Sequence, residues 1–309
     1  MGRRDYTMTI TPNLSAPPHF SARSDFRLFH RLQVRWAEVD MQKIVFNAHY
    51  LMYLDTAMTD YWRAVRLPYE ASMHLLGGEV FVKKATVEFN ASARCDDTLD
   101  VGLACARIGT SSLDFRGGIF RGNELLVTGE LLYVFADPAT QKSKPVPQVL
   151  RDIFMGFEAG QTMAPITLGA WSELSTGARQ VRTDVFLQEQ RVPLDMEWDE
   201  ADHTALHALA TNRLGLPVAT GRLLVSSDNE PGVARIGRMA VHRSLRGSNQ
   251  GRDVVLALMN AAIQRGDTEV RLHAQQSAQG FYTKLGFAPI GTPFEEAGIS
   301  HIEMNRRLG

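Results

Sequence analysis

Apolar and polar positions alternate at the start of the chain's patterned region. Between Phe26 and Arg35 one face is made of Leu28, His30, Leu32 and Val34, and the other face is mostly Arg and Gln. A period of two predicts a half-buried strand. After a loop over Trp36–Phe46, apolar residues recur at spacings of three and four across Ala48–Val65, which predicts a long helix. Its apolar face is so broad that we expect a sheet to wrap around it.

Four strand-like segments follow this helix, and each is bounded by a turn signal such as Asp96-Asp97 or Gly122-Asn123. The segments are Glu79–Ala91, Leu99–Ile108, Ser111–Phe120 and Glu124–Ala136. One strand, one long helix and a meander of four strands is the order of the hotdog fold, in which a curved antiparallel sheet wraps a central helix.

The middle of the chain is richer in Pro, Gly, Ser and Lys, and this shift in composition predicts a domain boundary. Pro147–Phe157 has the pattern of one short helix that closes the first domain. The first residues of the chain have no apolar core and are expected to form a disordered leader rather than a secretory signal. The predicted divisions are a leader at 1–25, a first domain at 26–160, a linker at 161–170 and a second domain at 171–309.

The second domain contains a strand, a turn of small residues and a helix in direct succession. Before them, Gly177–Gln190 is predicted to be helical, and Ala205–Ala210 and Pro217–Ser226 are predicted to be strands. The strand is Arg235–Val241, and the turn is Ser244–Gly251. This order forms an anion cradle, because free N–H groups at the helix start point outward and the helix dipole adds positive charge. Arg243, Arg246 and Arg252 give the stretch a local basic excess.

This stretch resembles the GNAT acetyltransferase superfamily. That family binds the pyrophosphate of acetyl-CoA in a loop of pattern Arg/Gln-x-x-Gly-x-Gly/Ala, and a Phe-Tyr…Gly-Phe segment follows, here Phe281–Phe287. Asn249 replaces the middle glycine. The resemblance implies that acetyl-CoA is a substrate and that Tyr282 protonates the leaving thiolate. It implies coenzyme contacts at Met239, Ala240, Val241, Arg246, Gly247, Ser248, Asn249, Gln250, Gly251 and Arg252.

Two further segments, Val185–Pro193 and Glu295–Ile302, resemble the ElaA-like branch of that superfamily. In this branch the residues on the side of the acceptor amine would include Glu189, Asp199 and His301. The sequence leaves open whether one of them or a chain of water molecules acts as the base, and it does not identify the amine.

The loop Trp36–Tyr50 resembles the acyl-CoA thioesterases of the 4-hydroxybenzoyl-CoA thioesterase and YbgC/FadM group. The family pattern is Asp-x-x-Gly-x-Val-aromatic-x-x-x-Tyr, and the matching positions here are Asp40, Val45, Phe46 and Tyr50. Lys43 stands in place of the glycine. The resemblance implies that Asp40 is the nucleophile or general base and that a backbone N–H near Asn47 holds the oxyanion. Glu38 is an alternative base, and His49 is interpreted as a packed or interface histidine.

Composition limits the other functions that are possible. The chain has 309 residues with 33 basic and 34 acidic side chains, and this balance disfavours a nucleic-acid partner. The two cysteines, Cys95 and Cys105, have no metal-ligand spacing, so we expect no metal and a reducing, cytoplasmic location. No apolar run approaches the ~20 residues of a membrane span. Because a hotdog sheet has an open edge, we expect a homodimer or homotetramer.

The predicted architecture is therefore α+β, with an N-terminal hotdog domain and a C-terminal mixed α/β GNAT domain. The predicted function is bifunctional, with acyl-CoA hydrolysis in the first half and acetyl transfer to an amine in the second half. Two alternatives stay open. Asn249 motivates a GNAT domain that only senses acetyl-CoA, and Lys43 motivates a non-catalytic hotdog domain that serves as an oligomerisation platform.

Overall fold

The computed structural model describes residues 20–225 and 230–309. Two compact units are present. The first contains the described residues up to Met58 together with Val80–Val146, and the second contains Thr59–Glu79 together with the described residues from Pro147 onward. The last residue of the predicted strand Pro217–Ser226 and the first nineteen residues of the predicted leader lie outside the described residues.

The first half of the chain has the predicted order of one strand, a helical stretch and four strands. The elements are β1 (Leu28–Gln33), α1 (Asn47–Ala64), α2 (Tyr69–Leu76), β2 (Glu79–Phe89), β3 (Thr98–Ile108), β4 (Ser112–Arg121) and β5 (Glu124–Ala136). The five strands form one sheet in the order β1-β3-β4-β5-β2, and the pairs β1–β3, β3–β4 and β4–β5 are antiparallel. The predicted hotdog topology is confirmed.

Glycines in the sheet allow α1 to approach it closely. Gly117 of β4 and Gly129 of β5 are cross-strand partners. A Cβ atom at Gly117 would lie 2.3 Å from Leu54 Cδ2, and one at Gly129 would lie 2.5 Å from Leu54 Cδ1. Leu54 is fully buried. A side chain at either position would therefore force Leu54 or the helix to shift.

Residues 20–25, the last part of the predicted leader, make contacts with the first unit. The rings of Phe20 and Phe26 lie in a tilted contact with their centroids 5.6 Å apart, beside the buried Phe120. Arg23 forms an ion pair with Asp100 at 2.9 Å. The sequence pattern missed this contact because it depends on an aromatic cluster assembled from distant positions rather than on local periodicity.

The second unit is organised around a mixed sheet of seven strands. From Gln148 onward the elements are α3 (Gln148–Glu158), β6 (Ile166–Gly169), α4 (Trp171–Arg182), α5 (Leu194–Glu197), β7 (Leu206–Thr211), β8 (Pro217–Leu224), β9 (Val233–Val241), α6 (Gln250–Arg265), β10 (Glu269–Gln275), α7 (Gln279–Lys284), β11 (Ala288–Glu296) and β12 (Ile299–Arg307). The strand order is β11-β12-β10-β9-β8-β7-β6. Among the described strands of this sheet, only β9 and β10 are parallel neighbours. Helix α6 packs its buried Val254, Leu258 and Ala262 into the core of this sheet.

Part of the predicted linker at 161–170 is a strand. Ile166–Gly169 forms β6 and pairs antiparallel with β7, where Ile166 is opposite Ala210. An edge strand of four residues is too short for its alternation to be recognised from composition. The predicted helix at Gly177–Gln190 corresponds to α4, which begins at Trp171, followed by a π-helical segment over Thr183–Glu189.

Candidate functional site

The strand β9 separates from its neighbour β10 partway along its length. Their parallel register joins Val233–Arg235 to Glu269–Arg271 and ends there, whereas β9 continues to Val241 alongside β8. A left-handed backbone at Arg238 (φ 50°) accompanies an irregularity in the β8–β9 register. Along Ile236–Val241, the edge that faces β10 therefore has no partner strand among the described residues.

A cavity of about 310 Å³ opens where these strands diverge. Its walls include Ile236 to Met239 of β9 and Leu272 of β10. Tyr282 of α7 and His301 of β12 also line it. The cavity is therefore lined by Tyr282, which is predicted to protonate the leaving thiolate. It is also lined by His301, one of the three residues predicted on the acceptor side.

Tyr282 is almost completely buried, with 7% of its surface exposed, and its ring contacts Phe281 and Phe287 edge-on. Burial raises the pKa of its phenol to about 12. The hydroxyl group therefore keeps its proton throughout the neutral range and is available as a proton donor.

The loop between β9 and α6 adopts two left-handed backbone conformations, at Gly247 (φ 84°) and at Asn249 (φ 67°). Asn249 occupies the position of the family's middle glycine. Asparagine tolerates this region better than most residues because its short polar side chain bonds locally. Asn249 also precedes the first helical residue, Gln250. The departure in sequence therefore preserves the bend of the loop.

The arginines around this loop are not all free to bind an anion, as the sequence had suggested. Arg246 forms a two-pronged hydrogen-bonded pair with Glu189, at 2.6 and 2.7 Å, and this pairing lowers the pKa of the Glu189 carboxyl. Arg252 is half exposed, and its nearest ion-pair partner among the described residues is Asp253 at 3.6 Å. Glu189 therefore lies beside the loop instead of in the cavity where an acceptor base would act.

Asp199 is likewise engaged elsewhere. It accepts hydrogen bonds from Arg222 at 2.5 and 2.7 Å and from Arg238 at 3.2 Å. These bonds, first those from Arg222, hold its pKa below the ordinary value. His301 differs, because its Nδ1 lies 2.7 Å from the carbonyl of Ile299. A carbonyl only accepts, so Nδ1 carries the hydrogen in the neutral ring and Nε2 is the acceptor nitrogen.

A buried ionic network supports one wall of the cavity, and sequence reasoning did not identify it. Arg182, 1% exposed, donates to Glu197 and to both carboxylate oxygens of Asp202. Arg222 bonds the same Asp202 at 2.7 Å. Glu197 and Arg222 line the cavity. Arginines of this kind leave no local signal in the sequence, since their partners come from separate elements.

In the first unit, the loop before α1 closes as a hairpin. The N–H of Phe46 donates to the carbonyl of Glu38 at 2.9 Å, and the N–H of Asp40 donates to the carbonyl of Ile44 at 2.9 Å. Asp40 therefore stands at the start of the hairpin turn, and α1 begins directly after the hairpin at Asn47. The first N–H groups of a helix have no partner within it. Asp40 and these N–H groups consequently belong to one rigid local segment.

Lys43 adopts a left-handed backbone (φ 62°) at the position of the family's glycine. Its N–H donates to the Asp40 carbonyl at 3.0 Å, which closes the turn. The carboxylate of Asp40 accepts a hydrogen bond from the N–H of Gln42 at 2.7 Å. The turn keeps the shape that a glycine would give it, although a residue with a Cβ atom is strained there.

Glu38, the alternative base, is buried and saturated with hydrogen bonds. Its carboxylate accepts from Arg35 and, at 2.8 Å, from the hydroxyl group of Tyr53. Burial alone would raise its pKa, but the bonds from Arg35 and Tyr53 hold the pKa below its ordinary value. Glu38 therefore acts as a fixed brace beneath the hairpin. His49 stacks on Tyr53 at 6.4 Å, which fits a packed histidine.

Tyr50, the last residue of the family pattern, also braces the hairpin. Its hydroxyl group accepts the N–H of Ala93 at 2.8 Å, and the carbonyl of Ala93 accepts the N–H of Val45 at 2.9 Å. Burial raises the pKa of Tyr50. The matched positions thus have different tasks, because Tyr50 and Val45 fix the loop while Asp40 remains partly exposed.

Within residues 20–225 and 230–309, no group of His, Cys, Asp and Glu side chains is arranged to hold a metal ion. In the same part of the chain, every helix is too short or too polar to cross a membrane.

Comparison with known proteins gives two separate matches. Residues 34–154 match the family model described as the thioesterase-like superfamily, and residues 185–308 match the acetyltransferase (GNAT) domain. The protein ElaA of Escherichia coli is 36% identical over 132 residues, which is 42% of this chain and 84% of ElaA. The N-acetyltransferase YjcF of Bacillus subtilis is 33% identical over 125 residues, which is 40% of this chain and 86% of YjcF.

Solved structures resemble each half. The crystal structure of Escherichia coli ElaA has a TM-score of 0.42 at 32% identity, with 47% of this chain and 99% of that chain covered. A 1,4-dihydroxy-2-naphthoyl-CoA thioesterase from Synechocystis has a TM-score of 0.38 at 19% identity, with 41% and 94% covered. With the family matches and the ElaA relationship taken together, the chain belongs to the GNAT acetyltransferase family through its C-terminal half and carries a hotdog domain of the thioesterase-like superfamily in its N-terminal half.

Proposed function

We propose that the protein is a bifunctional CoA-thioester enzyme. Its second half transfers an acetyl group from acetyl-CoA to an amine, and its first half hydrolyses an acyl-CoA. The observation that carries the acetyl-transfer activity is the divergence of β9 from β10. It leaves the β9 edge with no partner strand among the described residues, above a cavity lined by Tyr282 and His301.

The coenzyme would extend along this open edge. Its pyrophosphate would be bound by the N–H groups of the loop Gly247–Gly251, and its pantetheine arm would pair with the backbone of Met239–Val241. Arg252 supplies positive charge nearby. The left-handed backbone at Asn249 supports a functional loop over a degenerate one, because the bend that a glycine would provide is present.

Transfer would occur in the cavity. The nitrogen of the amine attacks the acetyl carbonyl carbon, the C–S bond breaks, and the Tyr282 hydroxyl group protonates the departing thiolate of CoA. The attacking nitrogen loses a proton to Nε2 of His301, whose other nitrogen is committed to the Ile299 carbonyl. The products are an acetylated amine and free CoA. The His301 imidazolium then releases its proton to solvent and the Tyr282 phenolate takes one up, so atoms and charge balance and both side chains are restored.

A comparison of variants of the full-length protein tests this half. Gly251→Asp adds a carboxylate and a side chain whose Cβ would lie 3.2 Å from Val241 Cγ2, so we expect it to abolish coenzyme binding at the loop. Tyr282→Phe should leave acetyl-CoA affinity nearly unchanged while it slows formation of acetylated amine, measured by mass spectrometry over a panel of amines. Unchanged acetyl-CoA binding in Gly251→Asp would refute the cradle. Equal loss of affinity in both variants would mean that Tyr282 only packs.

For the first half, the support is the hairpin that places Asp40 and the start of α1 in one hydrogen-bonded segment. Asp40 would act as nucleophile or general base on the thioester, and the N–H groups at Asn47 would hold the carbonyl oxygen as it gains charge. Hydrolysis consumes one water and gives a carboxylic acid and CoA. Lys43 retains the backbone of the family's glycine, which favours a catalytic hotdog domain over a mere platform.

The hydrolysis test pairs Asp40→Asn with Glu38→Gln. We expect Asp40→Asn to fold normally and to lose most hydrolysis across a series of acyl-CoA chain lengths, detected with a thiol reagent. Glu38→Gln removes a buried charge that is paired with the exposed Arg35 and should mainly lower stability. Wild-type hydrolysis in Asp40→Asn would exclude it as the catalytic carboxylate.

We also propose a homodimer or a dimer of dimers formed through the hotdog half. The edge strand β2 exposes Phe81 (38%), Val82 (54%) and Phe89 (54%). An open edge that carries apolar side chains favours pairing with a second copy. Light scattering at micromolar concentration should give at least a dimer mass, and Val82→Lys should reduce it. A monomeric wild-type protein would contradict the assembly.

A further inference from the structure

An arginine outside the GNAT family match is bound to the coenzyme loop of the second unit. Arg66 lies in the Thr59–Glu79 segment, which belongs to that unit. Its Nη2 donates to the carbonyl of Ser248 at 2.5 Å, and its Nε donates to Oε1 of Gln250 at 3.0 Å. One guanidinium group therefore spans the loop and the first residue of α6.

Arg66 is itself held firmly. Its Nη1 donates to the carbonyls of Arg63 and Ala64 at 2.9 and 3.2 Å, and its own carbonyl accepts from Asn212 at 2.8 Å. Its backbone is left-handed (φ 61°), and burial lowers the pKa of its guanidinium. A strained backbone and a desolvated charge persist only where surrounding contacts enforce them. The side chain is thus built into a fixed position.

The bond to Ser248 determines where the next N–H group points. A trans peptide bond directs its carbonyl and its N–H in opposite directions, and the described residues contain no cis peptide bond. Because the Ser248 carbonyl is directed at Arg66, the N–H of Asn249 is directed away from Arg66. This N–H has no hydrogen-bond acceptor among the described residues. It is a donor held ready for an anion.

Gln250 gives a second, independent indication that a ligand binds at the start of α6. Its side chain is 2% exposed, and its Oε1 is occupied by Arg66. Its Nε2 is buried with no partner among the residues that the structure describes. Arg66 thereby fixes which end of the amide is the acceptor and leaves the donor end unused at the start of α6.

We propose that Arg66 is a positioning residue for the acetyl-CoA pyrophosphate, and that it acts by holding the Ser248 carbonyl so that the Asn249 N–H faces the ligand. This inference rests on the proposed acetyl-transfer function. It also means that acetyl-CoA binding depends on residues 59–79, which lie within the span matched by the thioesterase-like family and have no counterpart in the GNAT match.

The test uses calorimetry with the full-length protein. Because Gly251→Asp should abolish binding at the loop, the acetyl-CoA binding that wild type shows and Gly251→Asp lacks is assigned to the loop site. Against this baseline, Arg66→Ala should weaken acetyl-CoA at the loop about tenfold, equivalent to about 1.4 kcal/mol. S-acetylpantetheine has the same thioester arm without the pyrophosphate, so its affinity should not change. Arg66→Lys keeps the charge and one donor, and it should recover part of the loss.

Arg265→Ala is the matched control. Arg265 lies at the opposite end of α6, where it bonds Asp267 and the carbonyl of Leu224, and its removal should leave both affinities unchanged. Wild-type acetyl-CoA affinity in Arg66→Ala would overturn the proposal, as would equal weakening of acetyl-CoA and S-acetylpantetheine. If Arg66→Ala does not fold, Arg66→Lys serves as the test. The proposal is overturned if Arg66→Lys binds both acetyl-CoA and S-acetylpantetheine with the wild-type affinities. If wild type and Gly251→Asp bind alike, the proposed loop site itself fails and the role of Arg66 fails with it.

Discussion

Replacement of Lys43 by glycine tests whether the hotdog loop carries strain. Lys43 has φ 62° in the turn that follows Asp40, and its side chain is exposed. The substitution removes the Cβ atom that makes this backbone unfavourable and leaves the hydrogen bond from its N–H to the Asp40 carbonyl available. The shape of the loop should therefore stay the same while its energy falls.

The expected magnitude follows from two opposing effects. A residue with a Cβ atom in the left-handed region costs about 1–2 kcal/mol. Glycine gives the unfolded chain more freedom, which takes back about 0.4–1 kcal/mol. We therefore expect Lys43→Gly to raise the free energy of unfolding by roughly 0.5–1 kcal/mol, which would appear as a rise of a few degrees in the unfolding temperature of the hotdog half.

The assay is thermal unfolding followed by circular dichroism, together with acyl-CoA hydrolysis by the same samples. Lys43→Ala is the matched control, because it removes the charged side chain but keeps the Cβ atom, and its stability should lie within about 0.5 kcal/mol of wild type. Equal stability of Lys43→Gly and Lys43→Ala would refute the strain argument. Hydrolysis should be retained in Lys43→Gly, since the turn that follows Asp40 is preserved.

Three further outcomes are expected. Gly129→Ala should lower the stability of the first half by about 1–3 kcal/mol in urea unfolding, because its Cβ would collide with Leu54; full stability would show that the helix can move away. Arg182→Met should cost about 3–5 kcal/mol, because Glu197 and Asp202 both lose the buried arginine that bonds them and only Asp202 keeps Arg222, and a neutral effect would mean that the network is dispensable. The pKa of Tyr282 is about 12 when folded and about 10 when unfolded, so its contribution to stability is complete below about pH 10 and is lost as the pH rises toward 12. Relative to Tyr282→Phe, the wild type should lose about 1 kcal/mol between about pH 10 and pH 11, and parallel curves would contradict the raised pKa.

Local patterns in the sequence were sufficient to predict most helices and strands and the order of the two halves. Alternation predicted β1 through β5 within a few residues, and the helical spacing predicted α1, because each depends on which side of a single element is buried. The strand, turn and helix around Gly247 could be predicted for the same reason. The glycine-replacing positions Lys43 and Asn249 were also visible as departures, since the loops that they occupy have short, recognisable patterns.

The tertiary structure alone decided which side chains meet. No pattern along the chain indicates that Arg66 bonds Ser248, or that Glu189 pairs with Arg246 and does not line the cavity. These contacts join residues far apart in sequence, and their formation depends on how strands diverge and helices pack. Periodicity records the burial of one element, whereas a site depends on distances between several elements. The sequence therefore determined the two folds, and the packing of distant segments determined which of the candidate residues can act together.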